Sequence, residues 1–551
     1  MRRLPDPAQA PKDAPGDPPP KGKAGIVSIA VMCSRVLGLV REIVLGALFG
    51  ASAFMDCFIV AYRTPNMLRD LFAEGALSTA FVTTFSKKLK TEGDEAAWEL
   101  ARKMITLAMV FMTILTLVCV LIAPMLVRLM APGFYSDSDN VAIGMGPLTV
   151  QLAQIMYVFI AMVSLAALVM GMLNSKGIFF VPALSSSFFN VFSVATGVAI
   201  GYWMDPNWGK GAFIGLAIGV LVGGLAQLAV QLPALWKTGF RFKLDFGWRD
   251  SGVKKVLILM GPAVLAGSAV QIGVLINTMF ASVLEQGSIS SLQWAFRLIM
   301  LPIGIFGVAV ATVTLPAVAR AATEGIGDEF RNVLSRGIRL VGLLTIPSAI
   351  GLAMLAEPII EVVFQRGAFD HDTTLRVAAA LRCYAFGLIF YSGLKVIQPT
   401  FYAVEKKWVP MFVSLGAIAL NAGLNTLWVF VLDIKENTHQ YLALSTTISA
   451  TLNFAVLYIL MRRIAGNLQT GKLISTVIRL MIAGAALVGV ILTAQNTILP
   501  NYFVGGSFVL KVLILGVTIA AAAVSYFVVA RLLRVEELDE FMAIVKRRAK
   551  R

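Results

Sequence analysis

Along nearly its whole length the chain repeats one device, an apolar run long enough to cross hydrocarbon followed by a short polar connection. A helix needs about 20 residues for that crossing. About fourteen such runs are present, near residues 25–48, 53–86, 104–130, 147–172, 178–203, 210–235, 255–284, 289–318, 333–356, 374–402, 408–432, 440–464, 473–495 and 507–533. With 551 residues, 58% hydrophobic and 14% charged, and a mean hydropathy of +0.80, the chain is too apolar for a soluble domain of its size. The expected fold class is an all-α polytopic membrane protein.

Residues 1–24, rich in Pro, Lys and Asp, cannot bury apolar surface and read as a disordered tail. They lack the pattern of a cleavable signal peptide, so the first span serves as its own insertion signal. Alternate loops differ in charge. Lys87, Lys88, Lys90, Arg102 and Lys103 share one, Lys237, Arg241, Lys243, Arg249, Lys254 and Lys255 another, and Arg462, Arg463 and Lys472 a third. The intervening loops hold Asp137, Asp139, Asp205, Glu285, Asp370, Asp372, Asp433 and Glu436. Basic residues stay on the cytoplasmic side, which places both termini there. The net charge of +16 is then a topology signal rather than a nucleic-acid footprint. Cys33, Cys57, Cys119 and Cys383 lie inside spans as small apolar residues, with no disulfide framework. His371 and His439 lie in separate outer loops, so no metal site is expected.

Against this apolar background, the stretch Ser34–Gly75 places Arg35, Arg41, Arg63 and Arg69 inside two spans. An arginine at the centre of a spanning helix costs roughly 2.5–3.5 kcal/mol, so such groups face protein or a water-filled cavity. Glu42, Asp56, Asp70 and Glu74 bring the stretch to neutrality. One reading is therefore a set of internal ion pairs that hold two helices in register. The other is anion binding, because a guanidinium grips phosphate at two points. Pro65-Asn66 adds a backbone carbonyl left unpaired in mid-helix, suited to a polar headgroup.

Sliding the chain against itself by 234 residues aligns Ala61-Tyr62-Arg63 with Ala295-Phe296-Arg297, Phe72 with Phe306, and Gly93-Asp94-Glu95 with Gly327-Asp328-Glu329. Pro124 then meets Pro358, and Gly133 meets Gly367. Two homologous six-span halves follow, with the last two spans outside the repeat. Repeated halves suit a transporter with a site that opens to one side and then the other, although a duplicated scaffold would show the same repeat. The second half adds Arg297 and Lys395 deep in spans, a surplus of two positive charges that favours an anionic ligand. For Lys395 the competing reading is snorkelling toward the cytoplasmic interface.

Several patterns carry less. Gly466–Lys472 imitates a P-loop, but Leu473 stands where a hydroxyl would hold magnesium and no strand precedes it. Asp137-Ser138-Asp139 imitates a glycosyltransferase metal motif and reads as a solvated turn. Gly211, Gly215, Gly219 and Gly223 form one smooth face suited to close helix packing. Asn421 and Asn425 share a face that lines a cation site or hydrogen-bonds across helices.

Ser34-Arg35-Val36-Leu37-Gly38, Arg41-Glu42, Asp56, Pro65-Asn66-Met67-Leu68-Arg69, Phe72-Ala73-Glu74-Gly75-Ala76, Ala131-Pro132-Gly133-Phe134 and Gly261-Pro262-Ala263 together resemble the MurJ (MviN) lipid II flippases of bacterial inner membranes. The resemblance implies the multidrug/oligosaccharidyl-lipid/polysaccharide exporter fold, with two lobes around a cationic cavity and a groove for the polyprenyl tail on the last two spans. It divides the chain into a tail (1–24), an N-lobe (25–236), a basic linker (237–254), a C-lobe (255–465), the tail-groove spans (473–533) and a basic cytoplasmic tail (534–551). Arg35, Arg41, Asp56, Arg69 and Glu74 take the roles of cavity charges, with Arg297 and Lys395 in the second lobe; Arg63 and Asn66 join them as candidates for substrate binding. The implied partner is lipid II, an undecaprenyl-diphosphate-linked disaccharide-pentapeptide, handled by a monomer without chemical conversion during peptidoglycan biosynthesis. The alternative is an exporter of another polyprenyl-diphosphate-linked oligosaccharide.

The chain departs from the family at three places. Family members often have two adjacent basic residues where Arg69-Asp70 stands, and an acid where Phe296 stands. The sodium site of some members has an acid where Asn425 stands, which puts monovalent-cation coupling in question; no cofactor is expected.

Overall fold

The computed structural model describes residues 21–71, 77–434, 437–503, 505–539 and 542. Most of the expected N-terminal tail, Glu74 and most of the basic C-terminal tail lie outside the described residues. Among those described, every regular element is a helix. Among the described residues, eleven helices are long and apolar enough to cross a membrane. Lys21–Phe49, Ala53–Leu68 and Ser251–Ser282 stand where the sequence places the first, second and seventh spans.

The chain divides into two compact units, one of residues 1–45 and 53–271, the other of residues 46–52 and 272–551. The first begins with α1 (Lys21–Phe49), α2 (Ala53–Leu68) and α3 (Ser78–Thr91). Helix α2 runs through Pro65 and gives way at residues 69–71 to a π-helical turn. The long α4 (Asp94–Met130) starts with Asp94 and Glu95 against its positive end and finishes with Arg128 against its negative end. Its Met104, Ala108, Met112, Cys119, Ala123 and Val127 are buried, whereas Phe111, Ile114, Leu117, Leu121 and Met125 are exposed. In a membrane that apolar outer stripe is the lipid face.

Two short helices, α5 (Gly133–Ser136) and α6 (Ser138–Ile143), lead to α7 (Met145–Ser175), the most buried of the spans in this unit. Next come α8 (Phe180–Met204), α9 (Lys210–Ala229) and the short α10 (Leu232–Lys237). Helices α8 and α9 meet along the glycine face read from the sequence. A Cβ on Gly215 would lie 2.3 Å from the Gly201 nitrogen, and one on Gly219 2.4 Å from the Ser193 carbonyl oxygen.

The connection from α10 to α11 (Ser251–Ser282) is strapped to α4. The Phe240 ring packs 5.4 Å from that of Trp98, Arg102 Nε donates to the Arg241 carbonyl at 3.1 Å, and the Asp245 N–H donates to Thr106 Oγ1 at 3.1 Å. Lys103 Nζ bridges Glu99 at 2.6 Å and Asp250 at 3.2 Å. The strap meets α4 just before its lipid face begins. Phe242, Leu244 and Phe246 in it remain exposed.

The second unit takes in the end of α1. The Ala368 N–H donates to the Ala47 carbonyl at 2.8 Å. Gly50, at φ +54°, has no room for a side chain, since a Cβ would lie 2.3 Å from the Ala368 oxygen. Helix α12 (Ser288–Pro302), a π-helical turn (Ile303–Gly307) and α13 (Val308–Thr323) make one span. They are followed by α14 (Asp328–Met354), α15 (Ala356–Phe364), α16 (His371–Ala403), α17 (Trp408–Thr426) with a π-helical end (Leu427–Val431), and α18 (Thr438–Ala465). One core unites Val310, Val318, Phe330, Leu334, Ile397, Phe401, Leu457 and Met461. The final spans, α19 (Thr470–Thr497) and α20 (Phe508–Leu532), share a second core with α14, where Leu343 and Ile346 meet Leu480, Leu487 and Ile491. The Tyr526 hydroxyl donates to the Leu343 carbonyl at 3.1 Å within it.

The internal repeat is visible in the helix boundaries. Helix α4 begins at Asp94 and α14 at Asp328, each just after a glycine. The π-helical turn at residues 69–71 matches the one that starts at Ile303, at the same offset of 234 residues.

Candidate functional site

The first unit carries four arginines on α1, α2 and the turn that follows. Arg35 is exposed on α1. Arg41, six residues on, is held: Nη2 lies 2.9 Å from Glu42 Oε1, and its guanidinium carbon is 5.9 Å from the Tyr62 ring and 5.8 Å from the Phe189 ring. Tyr62 comes from α2 and Phe189 from α8, so three helices converge on one cation. Rings presented in this way attract a guanidinium by their quadrupole. The Asn190 amide, next to Phe189, donates to the Ser34 carbonyl at 3.3 Å and fixes α1 against α8.

Asp56 is buried in the first turn of α2, where a negative charge suits the helix N-terminus. Arg63 and Asn66 are half-buried further along α2, and Asn66 Oδ1 is buried without a hydrogen-bond partner among the described residues. Arg69 is paired with Asp70, with Nε at 3.2 Å and Nη2 at 2.9 Å from the same Oδ1. The other carboxylate oxygen of Asp70 accepts from Gln271 Nε2 at 3.3 Å. Glu74 lies outside the described residues.

In the second unit Arg297 is half-buried on α12 and Lys395 is exposed on α16. Phe296 packs edge-on against Tyr384 at 5.4 Å and Tyr391 at 6.3 Å, so an aromatic cluster occupies the position beside Arg297. Asn425 Nδ2 donates to Asn277 Oδ1 at 3.1 Å and to Asn421 Oδ1 at 3.2 Å, while Asn421 Nδ2 reaches Thr446 Oγ1 at 3.4 Å. These amides bond across α11, α17 and α18. Among the described residues no group of three or more His, Cys, Asp or Glu side chains could hold a metal ion.

Both imitated motifs have local roles. Asp137 caps α6, its Oδ1 accepting from the N–H groups of Asp139 and Asn140 at 3.0 Å each. The Gly466–Lys472 segment leads from α18 into the first turn of α19, with Gly466 at φ +82° and Gln469 reaching Asn332 and Arg339. Sequence reasoning missed three contacts: the aromatic embrace of Arg41, the Asp70–Gln271 bond, and a buried Arg339–Glu537 pair at the end of the second unit. None of the three left a local signal: Ser335 and Arg339 sit four residues apart on α14, but Asp328, Glu329, Arg331, Asn332 and Arg336 share that helix.

Long apolar helices in two register-matched sets make this a polytopic membrane protein, and its fold is that of solved MOP superfamily transporters. In agreement, an inward-facing multidrug resistance MATE family transporter of that superfamily superposes with TM-score 0.64 at 14% identity, over 81% of this chain and 98% of that one. A structure titled "Lipid II flippase MurJ, inward closed conformation" gives TM-score 0.71 at 23% identity, over 91% and 98%. The family model described as Lipid II flippase MurJ matches residues 45–514. Among curated relatives, the probable lipid II flippase MurJ of Vibrio cholerae is 36% identical over 86% of this chain and 89% of its own length. That of Rhizobium tropici is 34% identical over 92% of both, and the lipid II flippase MurJ of Burkholderia cenocepacia is 34% identical over 79% of this chain and 83% of its own. The chain belongs to the MurJ lipid II flippase family.

Proposed function

We propose that the chain moves lipid II from the cytoplasmic to the outer leaflet of the bacterial inner membrane by alternating access, with both termini in the cytoplasm. The guanidinium groups of Arg35, Arg41, Arg63, Arg69 and Arg297 and the ammonium group of Lys395 supply the positive charge for its diphosphate, and Asn66 offers a polar contact to the headgroup. No covalent bond changes, so the protein is a transporter rather than an enzyme. The observation that carries this reading is the set of guanidinium groups kept on α1 and α2, which stand where the sequence places the first two spans, and on α12, part of a helix apolar and long enough to cross a membrane, where only a functional or structural partner offsets their cost. Arginine matches a diphosphate better than lysine because its planar fork forms two parallel hydrogen bonds. The lipid's tail stays in hydrocarbon, and α19 and α20 are the helices proposed to receive it.

The test is reconstitution of the purified chain with lipid II in vesicles. Arg35→Ala or Arg297→Ala abolishes translocation while the protein still inserts. Full complementation of a depleted strain by either variant would return these residues to a structural role.

A further inference from the structure

The first unit contains two arginines that each pair with the acid next in sequence, and the two pairs differ in accessibility. In Arg41–Glu42 the side chains are 15% and 7% exposed, closed in by the Tyr62 and Phe189 rings. In Arg69–Asp70 they are 24% and 41% exposed. The first pair is the more enclosed of the two. The second is the more exposed of the two.

The more exposed pair also has an unusual division of bonds. Two of the guanidinium nitrogens, Nε at 3.2 Å and Nη2 at 2.9 Å, converge on Asp70 Oδ1, while Oδ2 is held by Gln271 Nε2 at 3.3 Å from α11. Asp70 is therefore shared between a cation and a neutral amide. A partly exposed ion pair is weak, because water competes for both charges. A phosphate group meets the same fork with more charge and more acceptor oxygens than a carboxylate. If the carboxylate leaves Arg69, the Gln271 amide still satisfies it, so no polar group is stranded.

We infer that Asp70 is a resident counter-ion of Arg69 that a phosphate of the substrate displaces, with Gln271 as the amide that retains the carboxylate after exchange. This rests on the proposed function. Asp70 is a positioning and specificity residue: it presents the Arg69 fork in an oriented state and weakens the grip on the diphosphate, which favours release. Two substitutions then act in opposite directions. Asp70→Asn removes the competing charge and tightens substrate binding. Gln271→Leu removes the second holder, leaves the carboxylate to Arg69 alone and loosens it.

The experiment is lipid II flipping by the full chain in vesicles, with inorganic pyrophosphate as a competing probe. Asp70→Asn should lower the apparent KM, and lower the concentration of pyrophosphate that inhibits, by about two- to fivefold, the range a partly exposed ion pair commands. Its maximal rate should fall as release slows, and Asp70→Glu should restore wild-type values. Gln271→Leu should move both concentrations the other way. If Asp70→Asn does not fold, Asp70→Ser makes the same test. Unchanged KM and pyrophosphate sensitivity in a flipping-competent Asp70 variant would overturn the inference alone, as would a shared loss of rate in both variants without opposed KM shifts. A wild-type chain that neither flips lipid II nor responds to pyrophosphate would overturn the proposed function instead.

Discussion

The Arg339 guanidinium closes on the Glu537 carboxylate across 198 residues of sequence, with both side chains buried. Arg339 also donates to Ser335 Oγ at 2.9 Å and Gln469 Oε1 at 3.4 Å, so the segment after α20 is pinned to α14. Val535 and Leu538 on either side of Glu537 are buried in the same core. Removing one partner leaves the other as an uncompensated buried charge. Glu537→Ala should therefore cost about 3–5 kcal/mol, whereas Arg339→Met combined with Glu537→Leu should recover most of the loss. Thermal unfolding of the wild type, the Glu537→Ala variant and the double variant in one detergent checks this, and a Glu537→Ala variant as stable as wild type would show that the pair contributes nothing.

Asp370 caps α16, its Oδ1 accepting from the Thr373 N–H at 2.8 Å. The Thr373 backbone and hydroxyl hydrogen bonds hold this carboxyl below the usual aspartate range. A group with a lowered folded-state pKa contributes fully above the ordinary value of about 3.9 and loses that contribution as pH falls through the lowered one. Hydrogen exchange at the first amides of α16, corrected for intrinsic rate, should be constant from neutral pH down to the ordinary aspartate pKa and rise only in stronger acid. Asp370→Asn keeps a cap and removes the acid transition. Asp370→Ala should cost about 1 kcal/mol at neutral pH.

The glycine face of α9 should not tolerate a methyl group. With the Gly219 position only 2.4 Å from the Ser193 carbonyl oxygen and 2.5 Å from Gly197 Cα, the obstacle is backbone, which cannot rotate aside. Gly219→Ala is expected to separate α8 from α9 at a cost of about 1–3 kcal/mol, read as a lower unfolding temperature. Gly489→Ala on α19 is the control, because no atom stands within 4 Å of its Cβ position.

Moving a diphosphate outward across an inside-negative membrane runs down the potential and releases free energy. At 100 mV each charge is worth about 2.3 kcal/mol, so about two charges yield roughly 4 to 5 kcal/mol before any countermovement of protein charge. Collapsing the potential in vesicles that contain only this protein should slow flipping. An unchanged rate would rule out coupling to the potential.

The helical membrane class and the repeat were legible because both are written in long periodic stretches: spans of apolar residues, and Gly93-Asp94 returning as Gly327-Asp328 at two helix starts. The arginines could be named, but their surroundings could not. Neighbours on a helix do not ordinarily face each other, so nothing in the sequence foretold that Arg41 would pair with Glu42 and Arg69 with Asp70. Phe189, Gln271 and Glu537 come from elements remote in sequence, and no local pattern marks them as partners. The strap at residues 238–250 is another such case: charge marked it as a basic linker, whereas Phe240, Asp245 and Asp250 fasten it to α4.

The turn Ile303–Gly307 holds one more residue than an α-helical turn would, inside a single span. Deleting that extra residue would leave every hydrogen bond beyond it intact, yet turn the remaining helix by about 100° about its axis. Val310, Thr314, Val318 and Ala321, which now point inward together, would face the lipid. The bulge thus works as a phase adjuster: it lets one face be buried before the turn and a different face after it, and its counterpart at residues 69–71 marks the same adjustment in the first half of the chain.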